Sequence, residues 1–268
     1  LKHMPQLPKA PKPLAGLLSG SAAMSDHFKQ NIRRYNAAMG FASFNDSRAA
    51  VDHSSDAGQG PRKRAAPPVY ILHGQAYHAV STLYPGGDRE PRYAQLYIYD
   101  PEEATQRRVN AFEGLDESIL RCLLDMLVQP VRQDGGRQMP RNPYPQHFMQ
   151  LHEKVREEEL ASEQRGEAPR QQVLRLSCAN VPDPRRYNKP SSREVAVVYV
   201  GEGPIPKNFV NIYPRRTLSA RGSTDAASTQ RLSYLSEHTD PLTYPLLHVA
   251  GTLGWSTNLS YCAEHLAR

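Results

Sequence analysis

Arg185, Arg186, Lys189 and Arg193 flank Tyr187 within nine residues, and Arg215, Arg216 and Arg221 follow closely on Tyr213. Cations interleaved with aromatic rings suit nucleic-acid contact. The charged groups neutralise phosphates while a ring stacks on a base, which contributes about 1–3 kcal/mol per base. Lys29, Arg33 and Arg34 offer a further basic cluster, off the apolar stripe of a predicted helix. Tyr187 and Tyr213 fit equally the commoner duty of packing on their own strands. The residues alone leave both roles open.

Charge is segregated along the chain. The net charge is +6, yet residues 170–221 carry ten Lys/Arg against three Asp/Glu, and residues 101–169 carry nine against thirteen. A concentrated basic stretch is the footprint of a polyanion binder, and equally of a solvated basic face. Charge does not choose among DNA, RNA and an acidic protein.

The residue types that carry catalysis or metal binding lack workable spacing. Cys262 and His265 stand three apart with His248 upstream, but no second close pair completes a zinc site. His147 and His152 are five apart on a predicted helix, off the i, i+4 register of a metal-binding pair, and are expected to face solvent. His73 and His78 read as polar residues on strands flanking Gly74. No phosphate-cradling glycine loop and no nucleophile elbow occurs. The neighbouring acids Glu102-Glu103 and Glu157-Glu158-Glu159 cannot face a common substrate from a helix. No cofactor, no metal and no catalytic residue is therefore expected. Cys122, Cys178 and Cys262 are odd in number and widely spaced, which implies no disulfide framework and a reducing, intracellular compartment. The longest apolar run, Val195 to Val200, is too short to cross a bilayer, so no membrane association is expected.

The elements that must position these residues form an α+β pattern. Mixed and antiparallel strands surround a central helical segment, with long surface loops supplied by 23 prolines and 17 glycines. Residues 1–24 read as a tag remnant, Leu1-Lys2-His3-Met4, followed by an extended Pro-rich arm with a short turn at Leu14 to Leu18. A first half spans 25–170. Its first helix is capped by Ser25 and runs to Met39, with Phe28, Ile32, Tyr35 and Met39 on one stripe. A strand starts within Phe41 to Phe44, a long polar loop fills 45–68, two strands lie in 69–83, and a strand is predicted at Tyr93 to Tyr99. Helices follow from Pro101, from Asp116 with Pro130 as stop, and from about Tyr144 to Leu160. A β-rich, basic second half spans 171–268, either separate or continuous with the first. It holds strands at 173–178, 194–201 and 209–213 and a compact apolar segment at Tyr244 to Leu247.

Four stretches in series resemble the region that precedes the nuclease in Helitron rolling-circle transposases. They are Pro11-Lys12-Pro13-Leu14 to Gly20 leading into Phe28 to Asn36; His73-Gly74-Gln75 with Ala94-Gln95-Leu96-Tyr97-Ile98-Tyr99-Asp100; Arg186-Tyr187-Asn188 with Glu194 to Gly201; and Leu242-Thr243-Tyr244-Pro245-Leu246-Leu247 with Gly251-Thr252-Leu253-Gly254-Trp255. The resemblance covers roughly residues 11–258. It implies a nuclear, noncatalytic module that binds transposon-end DNA, single-stranded or at a junction, and positions it for nuclease and helicase domains of the same full-length protein. Relatives continue into a nuclease with a His-hydrophobe-His metal pair. This chain has no His-x-His, so no catalytic role is carried over to its tyrosines. Zinc fingers that precede this region in some relatives are also missing. The alternative is a domesticated Helitron-derived fragment that serves as a protein-interaction module, an effector or scaffold, without using the basic tract. A cryptic nuclease using His147 and His152 is a third reading.

Overall fold

A computed structural model describes residues 9–46, 76–86, 89–132, 138–139, 141–176, 196–200, 210–214 and 229–255. The fold is α+β, with helices packed against small antiparallel sheets.

The helices start where the sequence supplies a constraint. Helix α1 (Lys12–Ser19) has Pro13 within its first turn, and α3 (Pro101–Ala111) and α5 (Pro143–Arg165) begin on proline. Proline presets φ there, and its missing N–H would have no helical partner anyway. Asp100 caps α3 through the Glu102 N–H, Asn142 caps α5 through that of Tyr144, and Asp116 caps α4 (Glu117–Val128) through that of Ile119. The left-handed Gly166 ends α5, where a side chain would be strained. On α4, Ile119, Leu120, Leu123, Leu124, Met126 and Leu127 are all buried, so this helix forms the floor of the core.

Three expectations near the N-terminus change. Residues 12–19 are not an extended arm ending in a turn but a full helix, because burial of Leu14 and Leu17 gives α1 an apolar side. Ser25 does not cap the next helix, α2 (Ala23–Met39), which starts two residues earlier; its hydroxyl instead donates to the Gly16 carbonyl of α1. Phe28, Tyr35 and Met39 face the core as the stripe predicts, but Ile32 is exposed.

Strands β1 (Ser43–Asp46), β2 (Ala76–Ser81) and β8 (Thr229–Arg231) form one antiparallel sheet in the order β1-β2-β8. Strands β3 (Val131–Arg132) and β4 (Gln138–Met139) make a short ribbon. In the third sheet β5 (Gln172–Leu176) lies between β6 (Ala196–Val200) and β7 (Val210–Ile212), antiparallel to both. The sequence gives no warning of β8, a polar triplet without alternation. Most of the expected 45–68 loop and the first strand of 69–83 lie outside the described residues.

The strand expected at Tyr93 to Tyr99 is a 3-10 helix over Tyr93–Ile98. Tyr93 sits at φ 54, a left-handed conformation incompatible with a strand. Ala94, Gln95, Leu96 and Tyr97 are all buried, where alternation would expose every second one. Gln95 supports this geometry by accepting from the Arg92 N–H at 3.0 Å and donating to the Thr82 carbonyl at 2.8 Å.

One hydrophobic core runs from Leu14 to Val249. At its centre the Phe41 ring lies 4.6 Å from that of Tyr97, 5.6 Å from Tyr144 and 5.7 Å from Phe148. The chain's two halves are tied across it. The Phe41 and Ala42 N–H groups both donate to the Leu242 carbonyl of α6 (Thr239–Thr243), and the Tyr144 hydroxyl meets His238 Nδ1 at 2.8 Å, fully buried.

Candidate nucleic-acid interface

The strand register fixes where the two basic tracts join the fold. Ala196 opens β6 opposite Leu176, and Ile212 closes β7 opposite Leu174. Both strands run against β5, so they run parallel to one another. The chain therefore enters β6 at the Leu176 end of the sheet and leaves β7 toward the Gln172 end. Arg185, Arg186, Tyr187, Lys189 and Arg193 precede β6, and Arg215, Arg216 and Arg221 follow β7; all eight lie outside the described residues. What reads as one basic segment in sequence is attached to the fold at opposite ends of a sheet.

Tyr213 and Pro214 mark the second attachment. Their carbonyls accept from the Leu83 and Tyr84 N–H groups at 2.8 and 3.0 Å. The Tyr213 ring is half-buried, and burial pushes its phenol pKa up, opposed by the nearby Arg175 charge.

On α2 the three expected cations divide. Lys29 pairs with Asp26 at 2.9 Å and donates to the Gly20 carbonyl at 2.9 Å, which ties the α1–α2 turn. Arg34 donates to the Glu113 carbonyl and to Asn31 Oδ1, so it clasps the turn before α4. Arg33 is exposed. Lys29 and Arg33 share a helix face at i, i+4, and Arg34 lies a further 100° or so around the axis. The exposed Lys29–Asp26 pair contributes little to stability, about 0–1 kcal/mol, and leaves the lysine exchangeable with a phosphate.

A second surface is not legible in the sequence. Phe44 on β1 stands directly opposite His78 on β2, so both side chains share one face of the sheet. Their rings are 5.5 Å apart, and the His78 ring lies 6.4 Å from that of Tyr244 just after α6. Phe44 is 53% exposed, Tyr244 44% and the neighbouring Leu247 61%. The expected compact apolar segment 244–247 is thus split: Leu246 is buried while Tyr244 and Leu247 face outward. The strip assembles from residues 44, 78 and 244, and no local pattern announces it.

The structure also reassigns histidines. His152 does not stand free in solvent; it is half-buried, with Nδ1 2.8 Å from the Tyr84 hydroxyl. His248 is buried, with Nδ1 2.7 Å from the Thr252 carbonyl. Burial lowers the pKa of His152, helped by the Arg156 charge and opposed by Glu153 and Glu159. Burial also lowers that of His78, against the Ser43 backbone and the Asp240 charge. Both histidines bind protons more weakly folded than unfolded, where the pKa is about 6.5. Stability is therefore full above that value and falls as pH drops from about 6.5 through the folded pKa values. Urea unfolding followed at pH 7.5 and 5.5 should show a lower midpoint at the acid pH, and His152→Gln should shrink the difference.

Among the described residues no group of three or more His, Cys, Asp or Glu side chains is placed to hold a metal ion. No described helix is long and apolar enough to cross a membrane. An open groove of about 840 Å³ lies between α1 and α4, lined by Pro13, Arg121, Cys122 and Asp125 among others. Burial raises the Cys122 thiol pKa, so this thiol is poorly nucleophilic. No model of a known protein family matches this sequence, and no curated protein matches it either.

Proposed function

We propose that this chain is a noncatalytic DNA-binding module, similar to the pre-nuclease region of Helitron transposases, that holds single-stranded or junction DNA for nuclease and helicase domains in the nucleus. The observation that carries this reading is the excess of ten Lys/Arg over three Asp/Glu in residues 170–221. The sheet β6-β5-β7 lies within that same stretch, and it offers a rigid support from which phosphate-contacting segments extend. Lys29 and Arg33 on α2 add exchangeable cations elsewhere on the surface.

Fluorescence anisotropy of labelled single-stranded, duplex and forked DNA across a salt series tests the reading. Binding should weaken steeply with salt, because each neutralised phosphate releases counterion. Arg186→Glu should weaken binding to all sequences and reduce the slope of log affinity against log salt by about 1. Unchanged affinity in the folded variant, or no binding of any DNA form at low salt, would sink the proposal.

A further inference from the structure

We infer that the strip formed by Phe44, His78 and Tyr244 is a stacking platform for unpaired bases, served by phosphate contacts from Lys29 and Arg33. This inference rests on the DNA-binding reading and assigns it a site that the basic tracts do not contain. Three observations converge. The Phe44 and Tyr244 rings are exposed although aromatic side chains ordinarily bury their area, and they adjoin the half-buried His78 ring at 5.5 and 6.4 Å. Spacings of that size leave Phe44 and Tyr244 as separate ring faces, joined across the edge of His78.

The cations lie on the helix that adjoins the strip. Lys29, Arg33 and Asn36 share one face of α2, at i, i+4 and i+7. Asn36 is fastened to the turn that carries Tyr244: its Nδ2 donates to the Thr243 carbonyl at 2.9 Å, and its Oδ1 accepts from the Leu246 N–H at 3.4 Å. Arg33 therefore lies about one helical turn from the residue that is fastened beside the aromatic rings, with Lys29 a further turn away. That pairing of cations with exposed rings fits a single strand, whose phosphates and bases diverge to opposite sides. A duplex, with its bases stacked inside, has no use for the rings.

Asp240, an acid bordering the strip near His78, is already engaged: it accepts from the Trp255 N–H at 3.1 Å. It would repel a phosphate but not a base, which places the phosphate path on the α2 side. Sequence-tolerant binding follows, because every base offers a π-face.

Anisotropy with labelled oligo-dT, and with an abasic strand of equal length, provides the test. Phe44→Ala and Tyr244→Ala should each weaken oligo-dT binding by about 5- to 100-fold. Neither should alter abasic-strand binding or the salt slope, since stacking releases no counterions. Phe44→Trp should restore affinity, and Arg33→Glu should instead lower the slope. Circular dichroism melts confirm that each variant is folded. If the wild type binds oligo-dT with steep salt dependence while both alanine variants bind equally well, the platform is overturned and the DNA-binding reading stands. Equal weakening on the abasic strand by the folded variants would likewise overturn it, by showing that the rings do not act through bases. If the wild type binds no DNA at low salt, both fall, and the strip is left as a docking face for an apolar peptide.

Discussion

Replacing Arg108 with methionine should lower the unfolding free energy by about 3–5 kcal/mol. This arginine is fully buried, and no carboxylate among the described residues pairs with it. Its compensation comes from dipoles. Nε donates to the Ala38 carbonyl and Nη1 to the Ala104 carbonyl, each at 3.0 Å, and the guanidinium lies 4.8 Å from the centre of the Tyr97 ring. Ala38 belongs to the last turn of α2, where unpaired carbonyls concentrate negative partial charge. The Tyr97 hydroxyl donates to the next carbonyl, that of Met39, at 2.6 Å. Burial lowers the Arg108 pKa and pushes that of Tyr97 up to about 12. Methionine would fill much of the volume but orphan the Ala38 carbonyl. A thermal melt should fall by roughly 6–12 °C at that cost. Arg108→Lys should also destabilise, since a single ammonium cannot both fork between two carbonyls and stack on the ring. Melting temperatures equal to wild type would show that the charge is dispensable.

Gly251→Ala should destabilise the fold strongly for a single added methyl. Gly251 sits at φ 65, and a Cβ there would fall 2.3 Å from Pro143 Cδ, 2.9 Å from Pro143 Cγ and 3.3 Å from Asn142 Oδ1. The proline ring cannot swing aside because it opens α5, and Asn142 both caps that helix and donates to the His248 carbonyl at 3.3 Å. Left-handed strain and overpacking together should cost about 2–5 kcal/mol. Gly16→Ala is the control: nothing lies within 4 Å of its would-be Cβ, and alanine favours the α1 helix by up to about 1 kcal/mol. Equal urea midpoints for Gly251→Ala and wild type would mean that the 248–251 turn does not hold α5 in place.

The sequence is read most reliably where one residue fixes local geometry. Pro101 and Asp116 constrain helix starts through φ and a capped N–H, and the helices begin there, whereas α5 runs past the expected end at Leu160 to the left-handed Gly166. Reading fails where tertiary partners decide. The alternation in Tyr93 to Tyr99 yields to the contacts of Gln95, and α1 forms because α2 and α4 cover Leu14 and Leu17. Arg108 looks like any helical surface arginine, beside the exposed-side pair Arg107–Glu103. Of the basic residues singled out by type and spacing, Arg34 turns out to clasp a turn while its neighbour Arg33 stays exposed, which spacing cannot distinguish. The aromatic strip needed knowledge of which strands pair.

Asn36 is joined to the Thr243–Leu246 turn across separations of 207 and 210 residues, and Leu242 accepts from Phe41 and Ala42 nearby. On a ribosome adding about 5–20 residues per second, α2 waits roughly 10–40 s for that partner. Throughout the wait, Tyr35, Met39 and Phe41 have no C-terminal cover. That apolar surface stays open until residues 242–246 emerge, so translation speed across the intervening codons becomes a determinant of yield.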